Sequence, residues 1–107
     1  MGYPGEFELL VLLAILRLGD DAYGVTIREE LETETSRTLT LGTVYKTLSR
    51  LDRKGYLETR VAPPTRERGG RRKKLYSLSE VGREAAQRSL ADLQRMMRGL
   101  EPELDLP

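Results

Sequence analysis

The 107-residue sequence contains no cysteine, no histidine and no tryptophan. The lack of cysteine and histidine excludes disulfides, thiol nucleophiles, the usual zinc ligands and a serine–histidine–aspartate triad. Histidine is also the side chain best suited to proton transfer near neutral pH. A glycine-rich phosphate loop is missing as well. These absences predict a protein that is not an enzyme and holds no cofactor and no metal.

Long hydrophobic runs are also missing. The longest, residues 9–16, has eight residues, whereas a membrane-spanning helix needs about 20. The first residues lack the basic stretch of a secretory signal, and Glu6 stands where a myristoylation motif has Ser or Thr. We therefore expect a cytoplasmic protein with no membrane partner. The length and the 38% hydrophobic content suit one domain with a modest core.

The first predicted helix spans residues 6–18 and ends at Gly19, a residue type that favours the left-handed conformation after a helix. Residues 9–16 are apolar around the whole circumference of this helix, which predicts burial on more than one side. Two kinds of packing would bury this helix. One is packing against a partner subunit, and the other is packing in the core of the chain itself, with this helix at its centre.

Two further helices precede the middle of the chain. The second is predicted over residues 22–34, with Asp20 and Asp21 as N-caps. The third is predicted over residues 41–54, with Thr40 as its cap. Its apolar residues recur every three or four positions and basic residues occupy the opposite face. The third helix should therefore pack through one side and leave a basic side exposed.

A β-hairpin with a long loop is predicted next. Residues 56–61 and 75–78 are rich in the aromatic and β-branched residues that favour strands. The twelve-residue segment 63–74, which lies between them, is too long for a tight turn and is strongly basic. We interpret it as a basic hairpin loop.

A last helix is predicted over residues 80–98, with Ser79 as its cap. Its apolar residues are spaced by four and three positions, which is the heptad pattern of helix-on-helix packing. The same spacing also suits packing onto the core of the chain. Combined with the first helix, it predicts a dimer interface of Leu9, Leu12, Leu13, Leu16, Ala86, Leu90, Leu93, Met97 and Leu100. The tail after Gly99 is expected to fray.

The net charge of +1 conceals an uneven distribution. Residues 1–36 carry a net charge of −6, residues 37–76 carry +9 and residues 77–107 carry −2. The positive block contains the third helix and the hairpin loop, in the order that suits a helix in the major groove and a loop along the phosphate backbone. A solvated charged surface, or a genome that favours arginine codons, is the alternative explanation of the charge.

Four segments in register resemble the PadR family of bacterial transcriptional regulators. They are LLVLLAIL (residues 9–16), AYGVTI (22–27), LGTVY (41–45) and GGRRK followed by LYSLS (69–79). The resemblance extends over residues 6–98 and is greatest to the compact subfamily. Lys46 is a departure, because many relatives have proline there.

The resemblance implies a mainly α fold with a small β-hairpin wing, that is, a winged helix-turn-helix followed by a C-terminal dimerisation helix. The corresponding division is residues 1–78, 79–100 and a tail, 101–107. It also implies a homodimer that binds a palindromic operator, usually as a repressor. The DNA contacts carried over from the family are Tyr23, Thr43, Tyr45, Lys46, Thr47, Arg50, Arg68, Arg71, Arg72 and Lys73. Tyr23 and Tyr45 are equally consistent with half-buried core positions.

Other functions stay open from the sequence. A winged helix can serve as a protein-interaction module, and a basic dimer can be a nonspecific architectural DNA binder. Some compact relatives bind flat aromatic drugs between stacked tryptophans, so a small-molecule effector is a further partner that the resemblance suggests. This chain has no tryptophan, and Leu93 falls near the stacking position.

Overall fold

The structure is a computed structural model, and it describes residues 2–63 and 72–106. Over these ranges the helices are α1 (Glu6–Leu18), α2 (Gly24–Glu34), α3 (Leu41–Arg53), α4 (Glu80–Met97) and α5 (Glu101–Leu104). The strands are β1 (Leu57–Val61) and β2 (Lys74–Leu78), and a 3-10 turn, Gly19–Asp21, joins α1 to α2. This confirms the mainly helical fold with a β-hairpin wing.

Helix starts follow the capping residues in two of three predicted cases. The Thr40 hydroxyl accepts a hydrogen bond from the Thr43 N–H, and the Ser79 hydroxyl accepts one from the Gly82 N–H, each at 3.1 Å. The prediction that Asp20 and Asp21 cap the second helix is wrong, because both lie in the 3-10 turn. Helix α2 begins only after Tyr23, whose N–H donates to the hydroxyl of Thr26 at 3.0 Å.

Helix α1 lies at the centre of the subunit, where it packs against α2, α3, α4 and β2. The core of the chain itself therefore covers most of this apolar helix. Leu12 is fully buried, Leu9 is 7% exposed and Ala86 of α4 is 3% exposed. These three residues were predicted to lie in the dimer interface, and that prediction is wrong because their side chains are enclosed within one subunit.

The other predicted interface residues keep exposed or half-exposed surface. They are Leu13, Leu16, Leu90, Leu93, Met97 and Leu100. The segment after Gly99, which was expected to fray, forms the short helix α5 up to Leu104. None of the helices in the described part of the chain has the length and apolar content that crossing a bilayer requires.

The wing is fixed at its base by backbone hydrogen bonds. Strands β1 and β2 pair antiparallel, from Leu57 opposite Leu78 to Val61 opposite Lys74. The Tyr76 N–H donates to the carbonyl of Ala22 at 2.8 Å, so β2 is also tied to the segment just before α2. This bond places the base of the wing beside the N-terminus of α2.

Candidate nucleic-acid interface

Helix α3 presents one apolar side to the core and one polar side to solvent. Its buried residues are Val44, Thr47, Leu48 and Leu51. With 3.6 residues per turn, the opposite side is centred on residues that are all exposed: Gly42, Lys46, Ser49 and Arg53. We call these four residues the outer face of α3.

Thr47 does not belong to this outer face, although it was predicted to contact DNA. It is 4% exposed, and its hydroxyl donates to the carbonyl of Thr43 at 3.2 Å. The physical reason is its position in the buried stripe, between Val44 and Leu48. Ser49 and Arg53, in contrast, were missing from the predicted contacts. The helical period that places Lys46 outward was the signal that could have identified both.

Tyr45 connects α3 to the N-terminus of α2. The side chain is 47% exposed, and its ring lies directly against the backbone of Gly24. A Cβ atom at Gly24 would lie 2.3 Å from the Tyr45 hydroxyl oxygen, so only glycine permits this contact without a shift of the ring. The contact holds Tyr45 beside the base of the wing, while Thr43 stays exposed in the first turn of α3.

An open cavity with a volume of about 680 Å³ lies between the wing and the starts of α2 and α3. We call it the wing cavity. The described residues that line it include three tyrosines and three basic residues and no acidic residue: Tyr23, Gly24, Val25, Tyr45, Arg72, Lys73, Lys74 and Tyr76. Its side chains therefore offer positive charge and hydroxyl groups, which is the chemistry that binds phosphate oxygens.

Aromatic rings and ammonium groups pair within the wing cavity. The Lys73 Nζ lies 4.6 Å from the ring centroid of Tyr23, which is itself 8% exposed. The Lys74 Nζ lies 5.7 Å from the ring centroid of Tyr76. Burial, together with the nearby Tyr45 and Asp52, raises the pKa of the Tyr76 hydroxyl. That hydroxyl therefore stays protonated at neutral pH and is able to donate a hydrogen bond.

The predicted wing contacts fall into two groups. Arg72 is exposed, Lys73 is half-buried, and both line the wing cavity. Arg68 and Arg71 lie outside the described residues.

Arg50 lies at the flank of α3 that faces α1. Its Nη1 atom is 4.0 Å from Oε2 of Glu8, a carboxylate buried in the first turns of α1. The Lys54 Nζ donates to both oxygens of the same carboxylate, at 2.8 and 3.0 Å. The Lys54 ammonium is therefore directed towards this buried carboxylate, whereas Arg50, with 54% of its side chain exposed, remains accessible to solvent, as do Lys46 and Arg53.

The Glu8 carboxyl group has a pKa below its ordinary value. Burial alone raises this pKa, but hydrogen bonds from the Lys54 ammonium and the Gly5 N–H, with the positive charges of Lys54 and Arg50, outweigh it. The folded protein therefore binds a proton at Glu8 less readily than the unfolded chain does. The stability that Glu8 contributes is present at neutral pH and is lost as the pH falls through the lowered pKa.

We expect the free energy of unfolding to fall from roughly pH 5 to pH 3, with Glu8 as one source of the decrease. In the Glu8→Gln variant, which has no proton to bind there, stability should decrease less over the same interval. Urea unfolding followed by circular dichroism at fixed ionic strength and several pH values measures both curves. If the free energy of unfolding fell equally with pH in the two proteins, Glu8 would not be a source of the decrease.

Comparison with known families fixes the class of the protein. Residues 12–88 match the family model described as the transcriptional regulator PadR-like family. This chain belongs to the PadR family. Members of that family are transcriptional regulators and not enzymes, as the missing cysteine and histidine predicted. No curated protein matches the sequence significantly.

Solved structures of PadR-family proteins share the fold. A PadR family regulator from Clostridium difficile aligns with a TM-score of 0.70 at 20% identity, over 92% of this chain and 97% of its own. A PadR-like transcription factor from Bacteroides fragilis aligns with a TM-score of 0.71 at 23% identity, over 91% and 88%. Bacillus subtilis PadR in complex with operator DNA aligns with a TM-score of 0.64 at 21% identity, over 79% and 48%.

Proposed function

We propose that this PadR-family protein is a sequence-specific DNA-binding repressor that acts as a homodimer on a palindromic operator. The observation that carries the proposal is the continuity of two surfaces. Tyr45 belongs both to α3 and to the lining of the wing cavity, so the outer face of α3 and a basic, tyrosine-lined concavity adjoin each other. A single duplex can contact both.

The two surfaces suit different parts of DNA. A major groove about 12 Å wide admits a helix, and the outer face of α3 brings Lys46, Ser49 and Arg53 to the base edges. The wing cavity suits a phosphate, because Arg72 and Lys73 supply positive charge and the tyrosines supply hydroxyl donors. Phosphate contacts set the position of the protein, and groove contacts select the sequence.

A second copy of the chain is the partner that we propose for the apolar residues of α1 and α4 that one subunit leaves uncovered. Leu16 is 40% exposed, Leu93 is 49% exposed and Met96 is 76% exposed. Exposed apolar residues grouped on two packed helices are typical of an interface. A two-fold dimer would set two α3 helices in successive major grooves, about 10 base pairs apart.

Repression follows if the dimer occupies promoter DNA that polymerase must reach. Under this proposal the protein is cytoplasmic, and its partners are operator DNA, a second copy and a small-molecule effector. The candidate place for the effector is a cavity of about 440 Å³ between Tyr3 and Pro4 and the α4 residues Ser89 and Leu93. This volume lies in the ordinary range of ligand pockets.

The Leu93→Lys variant tests the dimer. Because Leu93 is half exposed in one subunit, the change should leave the fold intact while placing a charge in the interface. We expect monomers in sedimentation velocity and a loss of operator affinity. Val81→Lys is the matched control, since Val81 is 48% exposed on the same helix but lies outside the heptad seam. An unchanged dimer of Leu93→Lys would contradict the proposed interface.

Selection of bound duplexes from a random DNA library separates the proposal from its rivals. Enrichment of an inverted repeat supports a specific regulator. DNA retained without any consensus would indicate an architectural binder. If no DNA is retained, the result would indicate a protein-interaction module. Residues 37–76, with their net charge of +9, would then contact a protein partner instead of DNA.

A further inference from the structure

Glu8 is a buried carboxylate that joins α1 to the end of α3. Its side chain is 7% exposed, and Oε1 accepts a hydrogen bond from the Gly5 N–H at 2.8 Å. Both carboxylate oxygens also accept from the Lys54 ammonium, with Arg50 at 4.0 Å. The Lys54 Nζ lies 6.0 Å from the Tyr56 ring centroid, so a ring and a carboxylate both hold this cation.

Capping of α1 does not account for this arrangement. A capping glutamate needs only one oxygen for the backbone N–H, whereas here both oxygens accept hydrogen bonds from Lys54. The Glu8 carboxylate is instead buried, which is costly unless the charge is paired, and its partner Lys54 comes from a position 46 residues later. The two cations near it lie in the last turn of α3 or just after it, on the helix proposed to enter the groove.

We propose that Glu8 is a specificity-determining positioning residue, which keeps the Lys54 ammonium away from DNA phosphates and fixes the end of α3 on α1. The inference rests on the proposed function of α3. Phosphate contacts strengthen binding to every sequence equally, whereas base contacts depend on how accurately the helix is placed. Holding a cation off the phosphates therefore lowers the affinity for every sequence, and only the accurate placement of α3 raises the ratio of operator affinity to nonspecific affinity.

The Glu8→Gln variant tests the inference, because the amide matches the carboxylate in shape and removes its charge. Affinities are measured for the duplex enriched by selection and for a 30-base-pair duplex of scrambled sequence, over a range of salt concentrations. Loss of the charge frees the Lys54 ammonium of each subunit. We expect tighter binding to the scrambled duplex. The slope of the logarithm of the binding constant against the logarithm of the salt concentration should become steeper by about 0.9 for each phosphate gained. The affinity ratio should fall roughly tenfold.

Glu30→Gln is the matched control. Glu30 is a carboxylate with 21% side-chain exposure, paired with Arg17 across the interface of α1 with α2, and its partner does not belong to α3. We expect this variant to keep the salt dependence and the affinity ratio of the wild type. The same changes in Glu30→Gln as in Glu8→Gln would overturn the inference, because any paired carboxylate would then produce them.

A merely structural role of Glu8 has a different signature. Partial unfolding would lower the affinities for both duplexes and leave the salt dependence unchanged, and this result would overturn the inference. Lys54→Gln gives a second test that holds even if Glu8→Gln fails to fold. Because the inference keeps Lys54 off the DNA, its removal should leave the salt dependence unchanged. A logarithmic salt slope that is shallower by about 0.9 per subunit would overturn the inference.

Failure of the proposed function is distinguishable from failure of this inference. If the wild-type protein binds the selected and scrambled duplexes equally, the proposed specific regulator is wrong and Glu8 cannot determine its specificity. If the wild type prefers the selected duplex but Glu8→Gln keeps the same ratio and salt dependence, the proposed function stands and the role of Glu8 is wrong.

Discussion

Replacement of both Lys46 and Arg53 by alanine is expected to weaken operator binding by at least about 100-fold, since each base contact contributes about 1–3 kcal/mol. Both side chains lie on the outer face of α3, and every dimer would lose four of them. The fold should be unaffected, because neither side chain contributes to the core. Fluorescence anisotropy with the selected duplex measures the affinity, and a thermal melt confirms folding.

The salt dependence of this double variant shows what the two side chains contact. If they read base edges, discrimination between selected and scrambled duplexes falls most. If they contact phosphates, both affinities fall together and the salt dependence becomes weaker. The control replaces two exposed arginines away from α3, Arg17 and Arg95, whose surface ion pairs contribute little stability. Equal losses of operator affinity in the double variant and in the control would contradict an interface centred on α3.

The Gly82→Ala variant is expected to lower the free energy of unfolding by about 3 kcal/mol, the upper end of the usual cost of overpacking. A Cβ atom at Gly82 would lie 2.1 Å from the carbonyl oxygen of Tyr56 and 2.9 Å from its carbon. These are backbone atoms and cannot rotate away. The Ser79 N–H donates to the same carbonyl at 2.9 Å, so α4 would have to shift as a unit.

Gly42→Ala is the matched control for this effect. Gly42 also lies in the first turn of a helix, but the nearest atom to an added Cβ is the Thr40 hydroxyl oxygen at 3.8 Å. Alanine there should raise stability by up to about 1 kcal/mol, because it costs less backbone entropy than glycine in a helix. Urea unfolding of both variants gives the comparison. A Gly82→Ala variant as stable as Gly42→Ala would contradict the close crossing of α4.

Local signals predicted the elements of this fold well. The apolar stripe of α3, its cap Thr40 and the cap Ser79 of α4 all depend on residues within one or two turns of each other, and the structure has both caps as predicted. Asp20 and Asp21 misled because their residue type suits an N-cap. The cap position is instead occupied by Tyr23, whose own N–H donates to the hydroxyl of Thr26 inside the helix.

Contacts between distant residues could not be predicted in the same way. Whether Leu12 faces a partner or its own core depends on how α2, α3 and α4 surround α1, and periodicity within α1 carries no such information. The contact between Tyr45 and Gly24, and the ion pair between Glu8 and Lys54, join segments 21 and 46 residues apart. These pairings define the wing cavity and the placement of α3.

Hydroxyl-radical footprinting of the wild-type protein on the selected duplex tests the central claim most directly. Two α3 helices held by a two-fold dimer should protect two symmetric tracts on one face of the DNA, with centres about 10 base pairs apart. The Lys46→Ala/Arg53→Ala variant should lose both tracts together. A single protected tract, or uniform protection without preferred positions, would contradict a sequence-specific dimer that reads DNA with α3.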